Sequence, residues 1–120
     1  MNRTFQQSYF VSGTLARDLN VYFKAHSNLT LQHVSLSNSS GNAPGIKIGT
    51  SGDDDEFLAL KSGGISNTPV EFERDDFVGG QYPRIEDGDI VQVQIDYDYN
   101  DGDTPAASAD VAVVLTFAEG

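Results

Sequence analysis

The sequence predicts an all-β protein: one antiparallel β-sandwich of the jelly-roll or immunoglobulin type, with about seven to eight strands. Apolar and polar residues alternate in several short segments, as they do in half-buried strands. Clusters of Gly, Asn, Asp and Ser separate these segments and are typical of turns. Only one segment, near residues 52–61, carries helix signals. A chain of 120 residues fits a single domain, residues 1–120.

The first half of the chain holds four predicted strands, at residues 5–13, 18–25, 28–39 and 45–49. The first is rich in aromatic residues, and the second alternates without interruption. In the third, the apolar phase changes at Gln32 and His33. This change predicts a β-bulge or a strand that passes from one sheet to the other.

The second half holds three more predicted strands, at residues 68–74, 89–99 and 109–118. The last of these is expected to bury Val111, Val113, Leu115 and Phe117. Because the last two are long and regular, we expect them to pair antiparallel at the centre of a sheet.

Residues 52–61, within GTSGDDDEFLALKSGG, are predicted to form one short helical turn. Ser51 can cap it, the acids Asp53–Glu56 lie where the helix dipole favours anions, and Lys61 lies near its C terminus. A phosphate-binding loop is excluded because no lysine follows the glycines and four carboxylates repel phosphate. A cation site is chemically reasonable, but consecutive carboxylates do not converge on one point, so we prefer the helical turn.

A second acidic stretch, DYDYNDGDTPAASAD, superficially resembles a calcium-binding loop. Gly102 comes one position late and Ala107 stands where an EF-hand needs a bidentate glutamate. The EF-hand is therefore excluded. A simpler calcium site formed by Asp101, Asp103 and Asp110 stays open as second choice to a solvated hairpin tip.

The net charge of -11 is unevenly distributed. Residues 1–52 sum to +3, and residues 53–120 sum to -14. A field of this sign repels phosphate backbones, so no nucleic-acid partner is expected. The chain has no apolar run of about 18 residues, and we expect neither a membrane span nor a secretory signal.

Catalytic chemistry is not indicated. His26 and His33 are the only histidines, and their spacing implies neither a nucleophile–base pair nor a zinc site. Eighteen acidic residues could supply a glycosidase pair, but a small sandwich with short loops offers little concavity. A sugar-stacking platform of tyrosines is disfavoured because Tyr97 and Tyr99 share the core phase of their strand and Trp is absent. We expect no enzyme activity and no cofactor, apart from the calcium option.

Three stretches carry a resemblance to a known class: IGTSGDDDEFLAL, FERDDFVGGQYPRIEDGDIVQVQIDYD and DGDTPAASADVAVVLTFAEG. Over residues 28–120 the chain resembles the small virion proteins of tailed bacteriophages that decorate or cement the capsid or form head fibres. The resemblance implies a structural protein on the virion, assembled in the host bacterial cytoplasm and bound to the major capsid protein lattice. It also implies a homo-oligomer, with a trimer favoured. The alternative is a carbohydrate- or receptor-binding module of a head or tail fibre.

The N-terminal stretch, residues 1–13, has two equally supported interpretations. As part of a virion protein it could be an arm that crosses to a neighbouring subunit, with Arg3, Phe5, Tyr9 and Phe10 as contact residues. It could equally be an ordinary edge strand of the sandwich.

Overall fold

The computed structural model describes residues 3–99 and 107–119. Over these residues the strands are β1 Thr4–Thr14, β2 Leu19–Lys24, β3 Leu29–Ser37, β4 Gly45–Thr50, β5 Asp53–Ser62, β6 Val70–Phe72, β7 Arg84–Ile85, β8 Ile90–Asp96 and β9 Ala109–Glu119. The helical structure described is limited to two single 3-10 turns, Arg74–Asp76 and Val78–Gly80. Within the described ranges, no helix is long and apolar enough to cross a membrane. The all-β prediction is confirmed.

Two antiparallel sheets pack into a sandwich. The first sheet has the order β1-β9-β3-β6, with β7 also beside β3, and the second has the order β2-β8-β4-β5. Strands β6 and β7 share one position, since both pair with β3 at different points along its length. Apart from β4–β5 and β6–β7, each strand lies in the opposite sheet from the strand before it. This is the double Greek key of a jelly roll, and the immunoglobulin order does not fit.

The core lies between the sheets, and an aromatic group joins them. Phe117 on β9 is fully buried. Its ring stacks on Phe5 of β1 at a centroid distance of 5.4 Å and meets Phe23 of β2 edge-on at 5.7 Å. Since Phe23 belongs to the second sheet, these contacts connect both layers.

In the regular strands, the alternation of apolar and polar residues correctly predicted which side chains face the core. Val111, Val113, Leu115 and Phe117 are buried as expected. The bulge predicted in β3 is also present, because its register against β9 shifts between Leu31 and His33. The extra residue lets apolar side chains before and after the shift enter the same core.

The expected pairing of residues 89–99 with 109–118 is wrong. Strand β8 pairs with β2 and β4 in the second sheet, whereas β9 pairs with β1 and β3 in the first. Alternation shows that one face of a strand is buried, but both sheets of a sandwich bury a face. It therefore cannot tell which sheet a strand joins.

The helical turn expected near residues 52–61 is also wrong, because this segment is strand β5. It pairs antiparallel with β4, with two register shifts. These shifts make the neighbours Phe57 and Leu58 both buried, which removes the period-two pattern from the sequence. Leu60, two positions after the buried Leu58, is 41% exposed, so alternation does not hold here either. Ladder hydrogen bonds to β4 outweigh the local helix signals.

Candidate functional site

Across β1, β9 and β3 the outer face of the first sheet is almost uncharged, whereas its margin at β6 and β7 carries Glu71 and Arg84. Its outward side chains are Thr4, Gln6, Ser8 and Phe10 on β1, Ala112, Val114, Thr116 and Ala118 on β9, and Thr30, His33, Ser35 and Ser37 on β3. His33 is the only ionisable member of this set, and its Nε2 lies 3.3 Å from Glu71 Oε1 on the neighbouring β6. We call this surface the β1–β9–β3 face.

The outer face of the second sheet is different in charge. It presents Lys24 on β2, Lys47 on β4 and Asp96 on β8. Lys47 Nζ lies 3.1 Å from Asp54 Oδ2, so the acidic start of β5 folds against this face. The two outer faces thus differ in their capacity to approach another acidic protein.

The structure divides the predicted contact residues between two environments. Arg3 pairs with Glu119 at 3.4 Å, beside the end of β9. Phe5 and Tyr9 are half-buried on the core side of β1, and Tyr9 donates a hydrogen bond to Gln7 Oε1 at 2.9 Å. Phe10 points the other way and is 65% exposed on the β1–β9–β3 face. Phe5, Tyr9 and Phe10 belong to β1, an edge strand paired with β9, and Arg3 directly precedes this strand.

Of the three calcium candidates, Asp101 and Asp103 lie outside the described residues. The carboxylate of Asp110 accepts hydrogen bonds from the backbone N–H of Gly13 and from Ser39 Oγ, both at 2.7 Å. Both hydrogen bonds lower the pKa of the Asp110 carboxyl, and the bond from the Gly13 N–H has the larger effect. Its position therefore ties the end of β1 to the segment after β3.

Asp18, Asp96 and Asp98 form a different acidic cluster, which was not predicted from the sequence. Carboxylate oxygens of these residues lie within 4.8 Å of one another. Asp18 accepts a hydrogen bond from Tyr97 N at 3.2 Å, and Asp98 N donates to Asp96 Oδ1 at 3.3 Å. The signal that could have found the cluster is the pairing of β2 with β8, which sets Leu19 opposite Ile95.

The pKa of Asp96 is raised to about 6 in this cluster. Burial is the largest cause, followed by the hydrogen bond with Asp98 and the negative charge of Asp18. Carboxylate oxygens are the ligands of hard cations, but three are fewer than the six to eight that calcium takes. Asp53, Asp54 and Asp55 form a second group of this kind beside Lys47, so the expectation that these consecutive carboxylates do not converge is wrong. Neither group by itself constitutes a metal site.

Asp96→Asn should stabilise the protein at neutral pH and not in acid. Because the pKa of Asp96 rises from 3.8 to about 6 on folding, the folded chain holds an extra proton within that window. Stability from this group is therefore largest below the window and declines as pH rises through it. After allowance for its exposure, we expect a gain of about 1 kcal/mol near pH 8.

Urea unfolding at about pH 8 and about pH 4 measures this difference. The asparagine Oδ1 can still accept from Asp98 N, so the local hydrogen bond is kept. Asp87→Asn, in the exposed turn before β8, removes an equal charge and serves as the control. Equal gains for Asp96→Asn at both pH values would contradict the assigned cause.

Two shallow clefts flank the segment that joins β6 to β7. One, of about 270 Å³, is lined by Glu56, Phe57, Val78, Gln81, Pro83 and Arg84. The other, of about 280 Å³, is lined by Glu73, Arg74, Asp75, Asp76 and Tyr82. Neither lining contains a histidine, serine or threonine, so among the described residues these clefts offer no hydroxyl nucleophile with a histidine base.

No protein-family model matches the sequence, and no curated protein matches it. Among solved structures, a chain of the cyanophage Pam1 capsid asymmetric unit is 17% identical with a TM-score of 0.51, over 99% of this chain and 85% of that chain. A chain of infectious bursal disease virus, Gx strain, is 14% identical with a TM-score of 0.43, over 100% and 32%. A ruminal GH26 endo-β-1,4-mannanase is 14% identical with a TM-score of 0.41, over 84% and 18%. The cyanophage likeness shows a shared fold.

Proposed function

We propose that this chain is a structural, non-enzymatic virion protein, a subunit that decorates or cements a bacteriophage capsid. The jelly-roll topology supports this role, since the fold recurs in viral capsid domains. The likeness to a chain of a cyanophage capsid also supports it, because it covers nearly the whole length of this protein. The resemblance of residues 28–120 to small phage virion proteins points the same way.

The observation that carries the proposal is the β1–β9–β3 face. In a protein of net charge -11, most surfaces repel other acidic proteins. Across three long strands this face has mostly short side chains, one large exposed side chain, Phe10, and one ionisable residue, His33, near its margin. It can lie against a flat protein surface without like-charge repulsion and without trapping long side chains.

The proposed partner is the major capsid protein lattice, and the proposed assembly is a homo-oligomer, with a trimer implied by the resemblance. Each contact with the lattice can be weak, because several linked subunits bind with a combined affinity far above that of one. Binding of this kind stabilises the capsid by mass action, since the bound protein favours the assembled lattice.

Val114→Glu tests this face. Val114 lies at its centre, opposite Ser8 on β1 and Ser35 on β3. We expect roughly tenfold or greater loss of binding to purified heads of the phage that encodes the chain, with loss of added heat resistance. Tyr22→Glu adds the same charge on an exposed position of the second sheet and should leave binding unchanged.

Three results would count against the proposal: no binding of the unaltered protein to heads, equal heat resistance of heads with and without it, or equal effects of both variants. Specific binding on a glycan array, abolished by Tyr82→Ala beside the second cleft, would instead support a carbohydrate-binding module.

A further inference from the structure

The four edges of this sandwich are protected unequally. A free strand edge is a template for another strand, and proteins block it with short strands, charged side chains, prolines or bulges. Strands β6 and β7 have three and two residues. Strand β2 has six and ends in Lys24, and β5 carries four acids, Lys61 and two register shifts. Three of the four edges are therefore blocked.

Strand β1 has none of these protections along most of its length. Its sequence, TFQQSYFVSGT, spans eleven residues without proline or any charged side chain. Its register against β9 is regular from Thr4 to Val11 and shifts only after that. Among the strands described, β9 is its one partner.

The backbone register identifies which groups face the free edge. Glu119 N donates to Arg3 O at 2.7 Å, so the hydrogen-bonded pairs with β9 involve the odd-numbered residues of β1. The N–H and C=O groups of the even-numbered residues point away from β9. These residues are Thr4, Gln6, Ser8 and Phe10.

We propose that β1 pairs antiparallel with β1 of a second copy of this chain across a twofold axis. The first sheets of the two copies would then form one continuous sheet. The register that uses all four outward-facing residues sets Thr4 opposite Phe10 and Gln6 opposite Ser8, with Gln7 at the axis. A second copy fits because a twofold contact needs one self-complementary surface, and this strand supplies it.

The charge distribution also favours a second copy of this chain as the partner of β1. Two chains of net charge -11 approach each other most readily where the surface is not acidic, and β1 contributes no charged side chain. The antiparallel arrangement brings Arg3 of each copy toward the end of the other strand, where Gly13 binds the Asp110 carboxylate. On the core side, Phe5 lies opposite Tyr9 of the second copy, which is a favourable cross-strand aromatic pair.

A cysteine at the twofold axis tests the register. The natural sequence contains no cysteine, so Gln7→Cys introduces a single thiol. In the proposed register the two thiols face each other at a non-hydrogen-bonded site, with Cα atoms at disulfide distance. Under mild oxidation we expect the linked dimer to form roughly tenfold or more faster than with Asp87→Cys, an exposed control. Equal rates would overturn the register.

The mass in solution tests the edge itself. At about 100 µM we expect an even-numbered oligomer by sedimentation, either a dimer or two trimers joined through β1. Ser8→Pro removes an edge-facing N–H that β9 does not use, and it should halve the mass while Ser8→Ala leaves it unchanged. Circular dichroism and melting verify the fold, and Ser8→Lys replaces Ser8→Pro if the proline variant unfolds. A monomeric natural protein, or a mass unchanged in the folded edge variants, would overturn the proposal, and neither result depends on capsid binding.

Discussion

Phe117→Ala should lower the free energy of unfolding by about 3–5 kcal/mol. Phe117 is fully buried and touches an aromatic ring in each sheet, Phe5 at 5.4 Å and Phe23 at 5.7 Å. Removing its ring leaves a cavity that neither β1 nor β2 can fill, because both are held by ladders to β9 and β8. The loss therefore combines transfer free energy, cavity cost and two aromatic contacts.

Phe10→Ala is the matched control for this prediction. It removes the same side chain from the same sheet, but Phe10 is 65% exposed on the β1–β9–β3 face. In dilute protein we expect a change of no more than about 0.5 kcal/mol. Urea unfolding of both variants measures the difference. A loss below about 1 kcal/mol for Phe117→Ala would show that the aromatic group does not hold the two sheets together.

The extent to which sequence predicted the fold depends on how local each signal was. Strands β2, β8 and β9 were predicted because alternation is a local property, visible within one segment. The bulge of β3 was predicted for the same reason, since a change of apolar phase at Gln32 and His33 is also local. The sheet that each strand joins could not be predicted, because it does not depend on a local signal. The jelly roll sends β8 and β9 into different sheets, and no feature within either strand records this.

The cluster of Asp18, Asp96 and Asp98 shows that local sequence signals are limited in the same way for a candidate site. Asp96 and Asp98 lie in the stretch whose likeness to an EF-hand was excluded, and nothing in the sequence connected them with Asp18. Pairing of β2 with β8 brings all three carboxylates together, so the raised pKa of Asp96 is a property of topology. The proposed contact residues Phe5, Tyr9 and Phe10 stay a prediction, and the sequence did show that the strand holding them, Thr4–Thr14, is rich in aromatic residues.

The edge strands β5 and β1 differ in charge. Strand β5 is an edge of the second sheet, and its acids Asp53–Glu56 make that edge a poor template for another strand. At β1, an edge of the first sheet, charge is absent. The cluster in GTSGDDDEFLALKSGG therefore fits edge protection, and the contrast between β5 and β1 is consistent with association through one edge only.

Gly49→Ala should destabilise the protein by about 3 kcal/mol. The backbone at the start of β5 crosses directly over Gly49: a Cβ there would lie 2.8 Å from Asp55 N and still closer to the carbonyl oxygen of Asp53. Backbone atoms cannot rotate out of the way, so the acidic start of β5 would have to leave β4. Its ion pair with Lys47, Nζ to Asp54 Oδ2 at 3.1 Å, would be disturbed as well.

Gly52→Ala is the control that separates the steric clash at Gly49 from the general loss of glycine's conformational freedom. Gly52 lies three residues further on, in the turn between β4 and β5, and a Cβ there would meet no atom within 4 Å. Because alanine also restricts the unfolded chain, we expect between no change and a gain of about 0.5 kcal/mol. Thermal and urea unfolding of both variants measure the pair. Were residues 52–61 helical, nothing would cross Gly49 and the two substitutions would have similar effects. A large loss confined to Gly49→Ala is therefore expected only if this acidic segment is an edge strand folded over β4.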